Sequence, residues 1–284
     1  MKRCAPVHAG VRSGPISGIG TSGSGMSICA PAPAGVCSRP VAGIGISEEG
    51  MKICVPVTAA TNENVLALMD RALAEADLVE IRLDAIREPD LKRLLRGRRG
   101  RVLVTNRSVA EGGAFDGPEV RRVALLREAV ALGAAYVDVE AATDGGLIRS
   151  LRETLRDQDG ATKLVVSWHD VTGTPSARAL RKKLRELMAF KADVVKLVTR
   201  AETVADAFRV LELIPAAGRR GQEIVAFAMG PRGRASRLLS VLMGASWTFA
   251  ALAAGAESAP GQMTVGETRQ SMSVLTRGSQ NGRP

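Results

Sequence analysis

From residue 51 onward, short apolar segments alternate regularly with segments of helical periodicity. The eight β-type segments lie at residues 52–57, 78–83, 101–105, 135–139, 163–168, 193–198, 223–228 and 246–250. Helical segments lie between them, among them 64–75, 90–96 and finally 265–275. Eight strand and helix pairs with nearly continuous apolar strands are typical of a parallel sheet covered by helices. The sequence therefore predicts a (β/α)8 TIM barrel over residues 51–284. A doubly wound open sheet is the alternative, but no GxGxxG motif follows a first strand.

Residues 1–50 are rich in Gly, Ser and Pro, and they contain a repeat. Residues 1–25 and 26–50 are identical at 14 of 25 positions, and the same register continues into the segment that starts at Met51. Two polar copies cannot form a solenoid, so we predict a mostly disordered, repeat-containing N-terminal extension over residues 1–50. We hypothesise a tandem duplication around the start of the gene, with Met26 or Met51 as the working start. Intact-mass measurement of the natively expressed protein tests this, because retention of Met1 in the bulk product excludes it.

The chain is basic, with a formal net charge of +10 and a pI near 10.1. Residues 51–284 hold 35 basic and 27 acidic residues, so the extension is not the source of the excess. A basic balance favours an anionic partner. The arginines are scattered through amphipathic segments, and one Tyr and five Phe offer little surface for base stacking. We therefore predict a small anionic substrate and no nucleic acid, with a basic nucleic-acid-binding protein as an alternative.

The sequence gives no sign of export or of membrane insertion. No run reaches the roughly 18 apolar residues of a membrane span, and the N-terminus has no apolar core of a signal peptide. All four cysteines lie in the first fifth of the chain, at Cys4, Cys29, Cys37 and Cys54, without CxxC spacing. We expect reduced thiols, no metal site and a cytoplasmic enzyme.

One lysine stands in the middle of a strongly β-type segment, Ala192-Asp193-Val194-Val195-Lys196-Leu197-Val198. Alternation along a strand places Lys196 on the same face as Val194 and Val198. Burial penalises the charged form of an amine, and a neutral lysine can attack a carbonyl to form a Schiff base. The alternatives are a lysine that is paired with a carboxylate or one that reaches a strand end.

Further polar residues follow the other predicted strands, where a barrel places its active site. The second strand ends in Glu80-Ile81-Arg82-Leu83-Asp84, whose charges share one face, and the third leads into Thr105-Asn106-Arg107 and then Glu111. The fifth ends in Ser167-Trp168-His169-Asp170. Since imidazole titrates near neutrality, His169 is a candidate general base and acid, with a structural histidine as the alternative.

The last two strands lead into glycine-containing loops. The seventh strand ends at Met229 and opens into the basic, Gly-rich segment 230–237, which we expect to bind an anion through backbone N–H groups and positive charge. Segment 257–262 follows the eighth strand and resembles a flexible lid. Together these residues favour a Schiff-base lyase or aldolase that acts on an anionic carbonyl compound.

Taken together, these motifs resemble type I 3-dehydroquinate dehydratase, also called 3-dehydroquinase. The resemblance extends from Met51 to about Leu275 and includes Ser236-Arg237 and Ser258-Ala259-Pro260-Gly261-Gln262. It implies a hydro-lyase of the shikimate pathway, in aromatic amino acid biosynthesis, that converts 3-dehydroquinate to 3-dehydroshikimate. It also implies a covalent imine on Lys196 with no cofactor, and a cytoplasmic homodimer.

The resemblance also implies a role for each site residue. Lys196 would form the imine, His169 would transfer protons and Glu111 would orient His169. The remaining residues would bind the substrate: Glu80, Arg82, Arg107, Met229, Arg237, Ser258 and Gln262.

The sequence departs from the family pattern at two places. Val171 stands where the family commonly has a larger apolar residue, and the extension has no counterpart in the family pattern. A class I aldolase that shares Lys196 is the nearest alternative, although it would not require the pair Glu80 and Arg82 or the lid motif. A catalytically inactive barrel is the other alternative.

Overall fold

The computed structural model describes residues 51–97, 101–158 and 161–277. The predicted extension over residues 1–50 lies outside these residues, so its boundary with the barrel stays a prediction. Within the described ranges, the first element begins at Ile53 and the last ends at Thr276.

Eight parallel strands form one sheet in the order β7-β6-β5-β4-β3-β2-β1-β8. The strands are β1 Ile53–Val57, β2 Leu78–Arg82, β3 Val102–Thr105, β4 Tyr136–Glu140, β5 Lys163–Asp170, β6 Val194–Arg200, β7 Glu223–Met229 and β8 Thr248–Phe249. Just before β8, the Ser246 N–H donates to the carbonyl of Ile224 in β7, 2.8 Å away, which brings the two ends of the sheet together. The predicted (β/α)8 barrel is confirmed, and the doubly wound sheet is excluded.

Helices alternate with the strands and cover the outside of the barrel. They are α1 Asn62–Glu75, α2 Leu91–Leu95, α3 Glu119–Ala131, α4 Gly145–Asp157, α5 Ala177–Ala189, α6 Val204–Leu211, α7 Leu213–Gly218, α8 Arg234–Leu242 and α9 Val265–Thr276. The expectation of eight helices was wrong by one in the described residues, because α6 and α7 both lie between β6 and β7. None of the helices within these ranges is long and apolar enough to span a membrane.

Local sequence explains where several helices begin. The side chains of Asp144 and Ser176 accept backbone N–H groups at the starts of α4 and α5. Thr203 with Asp206, and Thr264 with Glu267, form reciprocal capping boxes at α6 and α9. Such caps satisfy N–H groups that the first helical turn leaves without partners. The βα loops therefore end at defined positions around the mouth of the barrel.

Alternation along the strands separates two apolar regions. Outward-facing residues such as Val195 and Leu197 pack against the helices in the larger core. Inward-facing residues form a separate lumen cluster: Cys54, Leu78, Leu103, Val165, Val194, Val198, Val225, Phe227, Trp247 and Phe249. Lys196 lies between Val194 and Val198 on β6, so it faces the lumen as the sequence predicted.

Candidate active site

The even-numbered strands change from apolar to mainly polar toward the mouth of the barrel. Leu78, Tyr136, Val194 and Trp247 belong to the lumen cluster or pack against it. Two residues further along the same four strands stand Glu80, Asp138, Lys196 and Phe249. Side chains from alternate strands share a layer in this fold, so these four residues form one layer above the apolar floor.

Contacts within this layer surround Lys196. Its Nζ atom lies 3.1 Å from Oδ2 of Asp138, 3.4 Å from Oε1 of Glu80 and 4.7 Å from the centre of the Phe249 ring. Lys196 is only 4% exposed. The structure therefore places the lysine in a buried site and pairs it with carboxylates, which combines two of the possibilities left open by the sequence.

Arg107 joins several buried carboxylates beside this layer. Its Nη2 lies 2.8 Å from Asp138, and its Nη1 lies 3.3 Å from Glu140 and 3.4 Å from Glu111. Nη1 also donates to Oγ of Ser167, which in turn donates to Asp138. Burial opposes the charge on Asp138, but Arg107 and Lys196 outweigh it and hold the pKa of Asp138 well below its usual range. Arg107 thus connects the carboxylates around Lys196 with the loop that carries Glu111.

His169 and Glu111 form a hydrogen-bonded dyad at the ends of β5 and β3. Nδ1 of His169 lies 2.8 Å from Oε2 of Glu111, and the His169 backbone N–H donates to the same oxygen. Both side chains are largely buried. The two contacts from one residue to one oxygen fix the orientation of the imidazole ring. Within the described residues, no hydrogen-bond partner is assigned to the other ring nitrogen, Nε2, and His169 lines the pocket.

Burial favours the uncharged form of both members of the dyad. Burial raises the pKa of Glu111 to about 8; Arg107 opposes this shift, and the nearby carboxylates Glu140 and Asp138 add to it. Burial, with the positive charges of Arg107 and Lys196, lowers the pKa of His169 well below its ordinary value. Strongly shifted groups that share a pocket are typical of acid and base catalysts. The imidazole is therefore uncharged at neutral pH, as a general base must be.

Arg82 and Asp84 continue the charged face of β2 but have different positions. Arg82 lines the pocket and is held by two hydrogen bonds to Asp84, at 2.9 and 2.6 Å. Asp84 also accepts the backbone N–H groups of Arg107 and Ala114. Asp84 therefore anchors the loop after β3, and only Glu80 and Arg82 from this motif reach the pocket.

Arg237 is a buried cation on α8 at the opposite wall of the pocket. It is 1% exposed, its guanidinium lies 4.5 Å from the centre of the Phe227 ring, and its Nη2 donates to the carbonyl of Pro260. The described residues give it no carboxylate partner. Burial alone lowers the pKa of Arg237 to about 9, so it remains charged at neutral pH. A buried cation without a counter-ion favours an anionic ligand.

The basic loop 230–237 does not present its backbone to the pocket as the sequence predicted. The Gly230 N–H donates to the carbonyl of Pro260, and the Gly233 N–H donates to that of Gly230. Neither glycine lines the pocket, whereas Arg237 does. The expected anion site therefore depends on the guanidinium of Arg237, because no other residue of segment 230–237 lines the pocket.

The predicted lid packs against this same loop. Pro260 accepts from both Gly230 and Arg237. Gly261 adopts a φ of +83°, and a Cβ atom there would lie 2.5 Å from the carbonyl oxygen of Gly230. Within the lid, the Ser258 N–H donates to the side chain of Gln262, whose amide donates back to the Ser258 hydroxyl. The lid is thus docked at the mouth, with both predicted side chains on the pocket wall.

All ten predicted site residues line one pocket. Its empty volume is about 590 Å³, including the part that is open to solvent, which suits a small molecule. The residues are Lys196, His169, Glu111, Glu80, Arg82, Arg107, Met229, Arg237, Ser258 and Gln262. Val171, the departure from the family pattern, lies at the rim, where its Cγ1 would be 3.0 Å from a Cβ at Gly112.

Sequence reasoning missed several residues around the site. Asp138 and Glu140 are buried carboxylates on β4, and their alternation in Tyr136-Val137-Asp138-Val139-Glu140 was an available signal. Phe227 and Phe249 also line the pocket. Single apolar residues in apolar strands carry no signal that separates pocket walls from ordinary core.

The sequence matches known proteins over the whole of this barrel. The model of the family described as Type I 3-dehydroquinase matches residues 53–279. A 3-dehydroquinate dehydratase of Syntrophobacter fumaroxidans is 37% identical over 210 residues, which cover 71% of this chain and 87% of that protein. A 3-dehydroquinate dehydratase of Thermococcus gammatolerans is 39% identical over 202 residues, covering 70% and 88%.

Solved structures agree with these sequence matches. The 3-dehydroquinate dehydratase of Geobacillus kaustophilus superposes with a TM-score of 0.72 at 28% identity, covering 80% of this chain and 91% of that one. The enzyme of Aquifex aeolicus gives a TM-score of 0.66 at 27% identity and covers 80% and 100%.

Proposed function

The chain belongs to the type I 3-dehydroquinase family, and we propose that it removes water from 3-dehydroquinate to give 3-dehydroshikimate through an imine on Lys196. It is thus a hydro-lyase of the shikimate pathway, which supplies aromatic amino acids. The observation that carries the proposal is that one pocket holds a buried lysine, a histidine–glutamate dyad and an arginine that has no carboxylate partner among the described residues.

The first step joins the substrate to Lys196. His169 accepts a proton from the ammonium, and the neutral Nζ attacks the ketone carbon. His169 then returns that proton to the hydroxyl of the adduct, which leaves as water and gives a protonated imine. This cation takes the place of the ammonium, so Glu80 and Asp138 again lie beside a positive charge once the imine has formed. Two carboxylates at this position therefore stabilise the intermediate electrostatically.

The second step is the elimination. The protonated imine withdraws electrons and acidifies the C–H bond on the neighbouring carbon. His169 accepts that proton through Nε2 when Glu111 is ionised, because the Glu111 carboxylate then accepts from Nδ1–H and stabilises the imidazolium. The electron pair then expels the hydroxyl from the next carbon, which leaves as water after His169 returns a proton. Hydrolysis of the conjugated imine frees the product and Lys196.

Binding of the substrate divides between two sides of the pocket. Arg237 is placed to form paired hydrogen bonds with the substrate carboxylate, for which a planar guanidinium is well suited. Glu80, Arg82 and Arg107 lie on the opposite strands, where they can bind ring hydroxyls. Ser258 and Gln262 close the mouth above, and Met229 packs against the ring.

The resemblance also implies features that stay predictions. They are a cytoplasmic location, a homodimer, the absence of a cofactor and the absence of nucleic-acid binding. The class I aldolase alternative is disfavoured by the family match across the whole barrel.

A direct assay tests the proposed reaction. Purified protein mixed with 3-dehydroquinate is expected to produce the ultraviolet absorbance of the conjugated product, and a His169→Gln variant is expected to lose it. Absence of product from folded wild-type protein would contradict the proposal.

A further inference from the structure

The loop that carries Glu111 is held by a carboxylate that lies outside the pocket. Glu140 stands at the end of β4, is 3% exposed, and is not one of the residues that line the pocket. Its Oε1 accepts the Ser108 backbone N–H at 2.8 Å, and its Oε2 accepts the Ser108 hydroxyl at 2.7 Å. The Glu140 carboxylate therefore binds Ser108 through both of its oxygens.

Ser108 begins the short 3-10 turn on which Glu111 stands. This turn extends over Val109–Glu111, and the Ser108 carbonyl accepts the N–H groups of Glu111 and Gly113. A displacement of Ser108 would therefore move Glu111 with it. Glu111 in turn is hydrogen-bonded to the ring of His169. Hydrogen bonds therefore connect Glu140 to His169 through Ser108 and Glu111.

Two arginines fix Glu140 in turn. Nη1 of Arg107 lies 3.3 Å from Oε1, and Nη1 of Arg122 lies 3.3 Å from Oε2. Arg122 comes from α3 and also donates to Thr143 and to Glu119. Glu140 is thus held by Arg107, which follows β3, and by Arg122 on the outer helix α3. This is the arrangement expected of a rigid support rather than of a group that moves during a reaction.

We infer that Glu140 is a positioning residue, which sets the geometry of the Glu111 and His169 dyad through Ser108. The inference rests on the proposed function, because it assigns Glu140 a part in the same proton transfers. Glu140 does not itself line the pocket, and it reaches His169 only through Ser108 and Glu111, so we expect its effect mainly on the rate of the chemical step.

Three variants test this inference. Glu140→Ala removes both acceptors, Ser108→Ala removes only the hydroxyl contact, and Glu140→Gln keeps an acceptor but removes the charge. We expect Glu140→Ala to lower kcat by about 10- to 100-fold with little change in KM, as small misplacements of catalytic groups do. Ser108→Ala should lie between it and the wild type. Glu140→Gln should keep more of kcat than Glu140→Ala.

The pH profile distinguishes positioning from a merely structural role. Loss of the negative charge at residue 140 removes a neighbour that disfavours ionisation of Glu111. Since His169 can accept a proton through Nε2 only when Glu111 is ionised, kcat/KM should rise as Glu111 ionises, and this alkaline inflection should move to lower pH in Glu140→Gln. A variant that only lowers the fraction of folded protein would leave the inflection unmoved.

Glu119→Gln is the matched control. Glu119 contacts the same Arg122 from its other side but does not contact Ser108, and its side chain is 38% exposed. We expect this variant to keep the wild-type kcat and inflection. If Glu119→Gln lowered kcat as much as Glu140→Ala does, the loss of kcat would be due to displacement of Arg122 and not to the lost hydrogen bonds to Ser108. That result would overturn the inference.

Histidine NMR gives a readout that does not depend on turnover. The chain has two histidines, His8 and His169, so a His8→Gln background assigns the imidazole signals. We expect the hydrogen-bonded Nδ1 proton of His169 to be visible in the wild type and to weaken or shift in Glu140→Ala and Ser108→Ala. If Glu140→Ala does not fold, the other two variants carry the test.

These experiments distinguish failure of the role of Glu140 from failure of the proposed function. Wild-type kinetics and unchanged His169 signals in all folded variants would overturn the role of Glu140 and leave the proposed function intact. Absence of turnover in the wild type would overturn the proposed function, and the NMR comparison would still decide whether Glu140 positions the dyad.

Discussion

Lys196 and Asp138 form a buried ion pair in the barrel lumen, with Nζ 3.1 Å from Oδ2. The two residues lie on strands β6 and β4, separated by β5. Arg107 contacts the same carboxylate oxygen from the other side, at 2.8 Å. Asp138 is therefore shared between the nucleophile and a fixed cation, which keeps it ionised beside the site where the imine forms.

Replacement of Asp138 by Asn should therefore lower both stability and activity. The change leaves Arg107 and Lys196 with one carboxylate fewer, and breaking a buried ion pair typically costs about 3–5 kcal/mol. We expect a loss near the lower end of that range, because Glu80 and Glu140 remain in place. Urea unfolding at pH 7 measures it, with the exposed Asp157→Asn as control.

The difference in unfolding free energy between wild type and Asp138→Asn should also depend on pH. The pKa of Asp138 is lower in the folded chain than in an unfolded one, so its contribution is present above the unfolded pKa. It is lost as pH falls toward the folded value. The gap in unfolding free energy between wild type and Asp138→Asn should thus shrink when both are measured in acid, and a constant gap would contradict this assignment.

Activity should rise at alkaline pH as Glu111 ionises. Below its pKa of about 8, the protonated carboxyl donates to Nδ1 of His169, which leaves the proton on Nε2 and no lone pair for the substrate. Above that pKa the carboxylate accepts from Nδ1–H, and Nε2 becomes a base. The plot of kcat/KM against pH should therefore rise through about pH 8 in the wild type.

Glu111→Gln should remove this inflection, because an amide oxygen accepts from Nδ1–H at every pH. It should also lower kcat by about 100-fold, since the imidazolium loses its counter-charge. A variant profile that still rises through the same pH would assign the inflection to another group.

Replacement of Arg237 should weaken substrate binding through loss of its contact with the substrate carboxylate. Arg237→Gln removes a buried cation, and a charge-assisted hydrogen bond is worth about 1.5–3 kcal/mol, or roughly 10- to 100-fold in KM. The matched control is Arg234→Gln on the same helix, whose side chain is half exposed and pairs with Glu267. Equal effects of the two substitutions would contradict a direct contact between Arg237 and the substrate.

Gly261 predicts that lid docking contributes to substrate binding. A side chain at this residue would meet the carbonyl oxygen of Gly230, and the φ of +83° disfavours any residue other than glycine. Gly261→Ala should therefore raise KM and increase proteolysis of segment 257–262. Gly266→Ala in α9 is the control, because a Cβ atom there meets no atom within 4 Å. Equal proteolysis of wild type and Gly261→Ala would show that the lid docks without this contact.

The sequence was sufficient to predict the barrel because the patterns that indicate strands and helices are local and recur along the chain. Strand alternation at Val194, Lys196 and Val198 correctly placed the lysine in the lumen. The pair of helices α6 and α7 was not anticipated, because Pro215 and the break near Glu212 lie within one continuous helical pattern.

The site was harder to predict where function depends on distant contacts. His169, Lys196 and Arg237 could be found because a charged or titratable group at a strand end or loop is conspicuous. Asp138 and Glu140 are equally buried, but only the structure shows that they contact residues on three other elements. The prediction for the basic loop failed for the opposite reason, since the Gly230 N–H donates to the lid carbonyl of Pro260 and the Gly233 N–H donates to the carbonyl of Gly230.

Trapping of the covalent intermediate tests whether Lys196 is the nucleophile. The protein is incubated with 3-dehydroquinate, reduced with borohydride and digested for mass spectrometry, with Lys196→Ala as the negative variant and the surface-exposed Lys163→Ala as the matched control. We expect one substrate-derived adduct, on the peptide that contains Lys196, in wild type and Lys163→Ala and none in Lys196→Ala. An adduct on another lysine, or turnover without any adduct, would contradict the assignment of Lys196 as the nucleophile.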